Sequence, residues 1–209
     1  PGFPMVQPGD NLSELIMIGL NREAICLENG DILVLAQKIV SKAEGRLVNL
    51  AQVIPSERAL RLAAEADKDP RLMELVLRES REVLRVRSGS VIVEHRLGFV
   101  CANAGIDHSN VAGEGTELEE WVLLLPADPD ASACRLRGQL QALSGCQLGV
   151  MIIDSHGRAW RLGVVGIVIG LSGLPALVDL RGQPDLTGYT LRHTTSGAAD
   201  ELAAGASLV

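Results

Sequence analysis

The residue types best suited to chemistry sit together in the segment Val100-Cys-Ala-Asn-Ala-Gly-Ile-Asp-His-Ser-Asn-Val111. An apolar, strand-like run breaks there into small and polar residues. It offers a carboxylate (Asp107), an imidazole (His108), a hydroxyl (Ser109) and two carboxamides (Asn103 and Asn110), with Gly105 to let the backbone turn sharply. Two further segments share that layout. Gln37-Lys-Ile-Val-Ser-Lys-Ala-Glu-Gly-Arg46 and Ile152-Ile-Asp-Ser-His-Gly-Arg158 each place charged or hydroxyl groups directly after a Val/Ile/Leu run. Strand ends are where folds commonly present reactive groups.

Asp107 and Asp154 each follow such a run, and Ser155 adds a hydroxyl beside the second. Two carboxylates brought together hold a hard divalent cation, Mg²⁺ or Mn²⁺, which prefers oxygen ligands and keeps room for substrate phosphates. The plainer alternative is that each aspartate caps a turn. Lys38, Lys42 and Arg46 are spaced by four: one face of a helix, or the wall of a phosphate pocket, or a solvated basic edge. Arg158 and Arg161 flank Trp160, either as an anion clamp beside a flat apolar surface or as arginine stems over a packed indole. His108 and His156 neighbour the two carboxylates and are as well explained as hydrogen-bonding bystanders. Neither the P-loop pattern nor a G-x-G-x-x-G fingerprint occurs, so a bound nucleotide uses neither common cradle.

The elements that must position these groups follow from pattern and punctuation. Gly9-Asp-Asn11 opens an amphipathic helix to about residue 20, and Asn29-Gly-Asp31 turns the chain into a strand at 32–36 that Ile39-Val40 extends. Pro55-Ser-Glu57 starts a helix to about 66, and Asp69-Pro70 starts another that runs to 80 or 83. Residues 90–94 and 97–101 read as a hairpin. The Gly-rich acidic stretch 112–120 reads as a loop and 121–125 as a strand. Pro126-Ala-Asp-Pro-Asp130 caps a helix to about 143. Strands follow at 149–153, ending at Asp154, and at 164–171, although the glycines at 163, 166, 170 and 173 have near-helical spacing. An Ala-rich helix occupies 198–208. The strands alternate with helices too irregularly for a doubly wound sheet. The expected class is therefore α+β, with mixed and antiparallel sheets and flanking helices.

Size and composition bound the function. The chain of 209 residues is 47% hydrophobic yet carries only two Trp, one Tyr and two Phe, so its core is aliphatic. A net charge of −7 argues against nucleic-acid binding through a general basic surface. Cys26, Cys101, Cys134 and Cys146 form no C-x-x-C pair, which favours reduced thiols over structural zinc. The longest uncharged stretch, 162–178 after Arg161, is short for a membrane span and interrupted by Gly and Pro. The expectation is a soluble cytoplasmic protein with no membrane partner.

Taken together, six blocks in order resemble the coenzyme F420:L-glutamate ligase family, the γ-glutamyl ligases of deazaflavin biosynthesis. They are Gly2-Phe-Pro-Met-Val-Gln-Pro-Gly-Asp10, Ile39-Val-Ser-Lys-Ala-Glu-Gly-Arg46, Gly98-Phe-Val-Cys-Ala-Asn-Ala-Gly-Ile-Asp-His-Ser-Asn-Val111, Leu124-Leu-Pro-Ala-Asp-Pro-Asp-Ala-Ser-Ala133, Asp154-Ser-His-Gly-Arg-Ala-Trp-Arg161 and Ala199-Asp-Glu-Leu-Ala203. The resemblance implies one catalytic domain over 1–209, divisible into two subdomains, in an intertwined homodimer. It implies a GTP-dependent ligase that activates the terminal carboxylate of a deazaflavin precursor as an acyl phosphate and passes it to the amine of L-glutamate. Mg²⁺ or Mn²⁺ assists, with K⁺ as a helper. By resemblance, Asp107, Asp154 and Ser155 are metal-contacting positions. Phe3, Pro4, Met5, Val6, Gln37, Lys38, Lys42 and Asn110 are GTP-contacting positions. Ser155 stands where relatives often have Thr, and His193-Thr-Thr-Ser-Gly-Ala-Ala199 replaces a more apolar strand. The family chain continues beyond the position of Val209, in some members into a flavin-binding nitroreductase-like domain. A deazaflavin- or nucleotide-binding protein without catalysis and an α+β scaffold are the competing readings.

Overall fold

Capping residues announce three of the helices in the computed structural model, which describes residues 3–108 and 120–208. In chain order the elements are α1 (Leu12–Arg22), β1 (Ile32–Ala36), α2 (Gln37–Ala43), β2 (Leu47–Asn49), α3 (Glu57–Ala66), α4 (Pro70–Arg78), β3 (Ser80–Arg87), β4 (Ser90–His95), β5 (Val100–Ala102), β6 (Trp121–Leu123), α5 (Pro129–Ser144), β7 (Gly149–Gly157), β8 (Val164–Ser172), β9 (Val178–Asp179), β10 (Thr195–Ser196) and α6 (Ala198–Ala206). Ser56, Asp69 and Asp128 accept backbone N–H groups in the first turns of α3, α4 and α5, and Pro70 and Pro129 occupy first-turn positions where no N–H is needed. The class is mixed α+β with several small sheets. The chain divides into two compact units, one formed by residues 1–5, 11–40 and 128–209, the other by 6–10 and 41–127.

The first unit is built on the sheet β1-β7-β8, in which β1 and β7 run parallel and β7 and β8 form an antiparallel hairpin. Val150 and Ile152 of β7 are buried in a cluster with Leu136 and Leu140 of α5, while Met151 packs with Ala199 and Ala203 of α6. A central strand covered on both faces explains the unbroken apolar run Gly149–Ile153. The glycines of β8 mark close approach. A Cβ on Gly170 would run into the Pro129 backbone, and one on Gly166 would lie 2.8 Å from the Ala203 carbonyl. The free edge of β8 is also occupied: Asp130 and Asp200, in the first turns of α5 and α6, accept the Leu171 and Val168 N–H groups at 2.9 Å.

The second unit packs α3 and α4 against the antiparallel sheet β3-β4-β5, beside the β2–β6 pair. Leu62, Met73, Val76, Val91, Val93, Val122 and Leu124 share one aliphatic core.

Three expectations need correction. Ile39 and Val40 belong to α2, not to an extended β1; Val40 turns inward with Leu35 into the α5 core. A two-residue apolar run fits either period, and burial decides it. Helix α4 ends at Arg78, because Ser80–Arg87 pairs along β4 with Val83 opposite Val93. Strand β7 continues past Asp154 to Gly157, so Asp154 lies within a hairpin rather than at its end. The reading of 112–119 as an acidic loop falls outside the described residues. Among those residues no helix is long and apolar enough to cross a membrane, and none of the four cysteines is in a disulfide.

Candidate functional site

Parallel pairing of β1 and β7 brings two distant segments to one place. The register ends with Ala36 opposite Ile153, so the chain leaves β1 into Gln37 and Lys38 beside Asp154 and Ser155. Crevices beyond the carboxyl ends of parallel strands are where α/β sheets bind ligands. Here a cavity of about 320 Å³ is lined by Val34, Ala36, Gln37, Lys38, Ile153, Asp154, Ser155, Ala206 and Ser207. It joins an ammonium, a carboxylate and hydroxyls over a small apolar floor. Lys38, Gln37, Asp154 and Ser155 were singled out from sequence. Ala206 and Ser207 were not, because only packing of α6 on the sheet delivers them.

Alternation along β7 sorts its polar groups. Asp154 and His156 share a face, with side chains 14% and 11% exposed and His156 Nε2 3.2 Å from Asp154 Oδ2. The two groups lie at ion-pair distance, a link the sequence offers only as an i, i+2 spacing. Ser155, between them, is exposed and lines the cavity with Asp154. Gln37 is buried and Lys38 half-buried at the start of α2. Lys42 lies one helical turn on, in the last turn of α2.

Asp107 belongs to the second unit, where its N–H and C=O exchange hydrogen bonds with Leu123 at 3.0 and 2.9 Å. The chain reaches it through a left-handed turn: Asn103, Ala104 and Gly105 all have φ between 49° and 64°. A Cβ on Gly105 would sit 2.8 Å from Leu125 Cδ1, which explains the glycine. Ala104 in this region stores local strain in the turn that leads through Gly105 and Ile106 to Asp107, a pattern common at functional sites. Asn103 Oδ1 helps hold the turn by accepting the Val91 N–H at 3.1 Å.

The same unit holds a half-buried ionic network. Glu79, 11% exposed, accepts from Arg46 Nη2 at 3.1 Å and Arg96 Nε at 2.8 Å, with His95 Nε2 at 3.8 Å. Arg46 Nε also donates to the Leu125 carbonyl at 2.8 Å, and its own carbonyl accepts from Leu124. Arg46 thus clamps the exit of β6, the strand that holds Asp107, and is no solvated basic edge.

The remaining candidates lie elsewhere. Phe3 and Pro4 line an apolar groove of about 280 Å³ along α1, apart from the Asp154 cavity, and Phe3 rests over Gly19. Met5 is exposed and Val6 buried. Asn110 lies outside the described residues. Trp160 is 100% exposed, so the reading of an indole packed beneath arginine stems is overturned.

Among the described residues no three His, Cys, Asp or Glu side chains gather closely enough to hold a metal by themselves. The cavity instead offers one carboxylate, Asp154, with a lysine near it. That donor set fits Mg²⁺-type binding, in which one or two carboxylates are supplemented by substrate phosphates and water.

The model of a family described as F420-0:gamma-glutamyl ligase matches residues 2–209. A protein of Methanopyrus kandleri named coenzyme F420:L-glutamate ligase is 48% identical over 204 residues, covering 98% of this chain and 77% of that one. Proteins of the same name from Methanothermobacter thermautotrophicus and Archaeoglobus fulgidus are 46% and 44% identical, each across 100% of this chain and 80% and 79% of their own lengths.

Proposed function

The chain belongs to the F420-0:gamma-glutamyl ligase family, and from that premise we propose that it is a ligase joining L-glutamate to a deazaflavin precursor of coenzyme F420 with GTP as the energy source. The observation that carries this reading is identity of 44–48% to ligases of that name along almost the whole chain.

In the proposed reaction the precursor's terminal carboxylate attacks the γ-phosphorus of GTP. A C–O–P linkage forms, the bond to the β-phosphate oxygen breaks, and GDP leaves. The glutamate amine then attacks the acyl carbon, the C–N bond forms, the C–O bond to phosphate breaks, and the amine proton is released to a base or to water. Phosphoryl transfer of this kind depends on positioning and charge neutralisation more than on covalent help from the protein. Mg²⁺ or Mn²⁺, with Asp154, Ser155 and Asp107 as protein contacts and K⁺ as an accessory ion, would supply neutralisation of the triphosphate.

The chain's own groups do the rest. Lys38 and Lys42 present ammonium groups to phosphate oxygens, and His156 lies 3.2 Å from the Asp154 carboxylate. Gln37, Asn110 and the segment from Phe3 through Pro4 and Met5 to Val6 are assigned to nucleotide contact. We further propose a homodimer in the cytoplasm. In favour of the dimer, the arm around β9 and β10 leaves Leu177, Leu186 and Tyr189 exposed, apolar groups that a second copy would cover.

Asp154→Asn tests the reading. It should lower turnover by at least about 100-fold and abolish the response to Mn²⁺, while precursor binding persists. Turnover within about threefold of the parent would remove Asp154 from the site.

A further inference from the structure

Among the described residues, the tip of the β7–β8 hairpin is the one place where a large aromatic side chain stands completely in solvent. Trp160 is 100% exposed, and Leu162 beside it is 96% exposed. Its φ of 56° lies in the left-handed region, an uncommon and costly conformation for a bulky residue. Burial cannot be the reason for that conformation, since the indole touches no core. Two arginines frame it. Arg158 Nη2 donates to the Leu162 carbonyl at 3.0 Å, which ties the tip together. Arg161 bends back through its N–H to the Arg158 carbonyl. Neither pairs with a carboxylate among the described residues. In a chain of net charge −7, this is a local cationic surface around an open indole face.

We propose that this hairpin tip is the docking point for the planar, anionic acceptor: Trp160 stacks on its aromatic ring system while Arg158 and Arg161 take its negatively charged side chain. The inference rests on the ligase reading and adds a subsite to it. Indole faces hold flat π-systems, and guanidinium groups match phosphate and carboxylate oxygens. Placement fits as well. Asp154 lies on the strand that leads into the tip, and the three steps from Asp154 to Gly157 span about 10 Å at ~3.3 Å per residue. A ligand with a flat ring at one end and a reacting carboxylate at the other, separated by a phosphate-bearing chain, bridges that interval. The ring docks on the tip while the carboxylate reaches the Asp154 cavity.

The test uses the full-length enzyme with GTP, Mn²⁺, L-glutamate and the deazaflavin precursor. Trp160→Ala should raise the precursor KM about tenfold, equivalent to ~1.4 kcal/mol. Its kcat and its KM for GTP should stay within about twofold, and Trp160→Phe should recover most of the loss. Arg158→Ala with Arg161→Ala should raise the precursor KM too, and more steeply at low salt. Because Trp160 is fully exposed, the melting temperature should not move. Equilibrium binding of the precursor without GTP should follow the same order of variants. An unchanged precursor KM in Trp160→Ala overturns the proposal while leaving the ligase standing. A KM rise accompanied by dissociation of an oligomer overturns it also, and makes the tip a contact between copies. A parent enzyme that neither binds nor turns over the precursor removes both readings together.

Discussion

Replacing Arg46 by Ala should destabilise the second unit by about 3 kcal/mol, a figure that follows from what the side chain holds. Its Nε bond to the Leu125 carbonyl, 2.8 Å, is part-buried and neutral at one end, for about 1 kcal/mol. Its Nη2 bond to Glu79, 3.1 Å, joins two charges and contributes about 2 kcal/mol. Truncation leaves Glu79, 11% exposed, without one of its cations. Breaking a fully buried pair costs about 3–5 kcal/mol, but Arg96 stays at 2.8 Å and limits the damage. Arg46→Lys should lose about half as much, since an ammonium cannot reach both acceptors. Urea unfolding followed by Trp emission measures this selectively: Trp121 is half-buried in the second unit, whereas Trp160 is already in water and reports little. A second cycle with Glu79→Ala should give a coupling energy of at least ~1 kcal/mol. A loss below ~1 kcal/mol for Arg46→Ala, or additivity of the two changes, would refute the network as described.

Gly170→Val should cost more than ~2 kcal/mol and should be worse than Val168→Ala, because its Cβ meets the Pro129 backbone rather than a movable side chain; a neutral melting temperature would show that α5 can move away. The Arg71 side-chain hydrogen bond, aided by backbone N–H groups, holds the Asp69 carboxyl below its ordinary value of 3.8. That depressed value makes a contribution present above the unfolded pKa and lost as pH falls through the folded one, so Asp69→Asn, which can still cap α4, should flatten the loss of stability below about pH 4 by under ~1 kcal/mol. A parallel acid limb in urea midpoints would contradict it. Leu186→Glu, at a fully exposed apolar position on the β9–β10 arm, should shift sedimentation from dimer to monomer without unfolding the subunit; an unchanged sedimentation coefficient would exclude the arm from an interface.

Local rules made several elements legible. Ser56, Asp69-Pro70 and Asp128-Pro129 mark helix starts because caps and first-turn prolines act within a few residues. Strand β3 stayed hidden behind α4, since Leu and Arg serve either period and the pairing of Val83 with Val93 is tertiary. The near-helical glycine spacing in β8 records where α5 and α6 approach, which no periodicity rule expresses. At the candidate cavity, Lys38, Asp154 and Ser155 stood out because reactive types follow apolar runs. The floor from Val34 and Ala206 and the His156 contact required the β1–β7 register and the packing of α6. Arg46 carried a basic side chain in the expected place, but its partner Glu79 is 33 residues away.

The most direct test of the central claim is nucleotide turnover coupled to mass analysis of the coenzyme. Purified protein is incubated with GTP, Mn²⁺, L-glutamate and the deazaflavin precursor, omitting each in turn. GDP and phosphate should be released in equal amounts, dependent on both glutamate and precursor, with the precursor gaining the mass of one or more glutamyl units. GDP release that ignores glutamate, or tight precursor binding with no mass gain, would contradict the ligase reading.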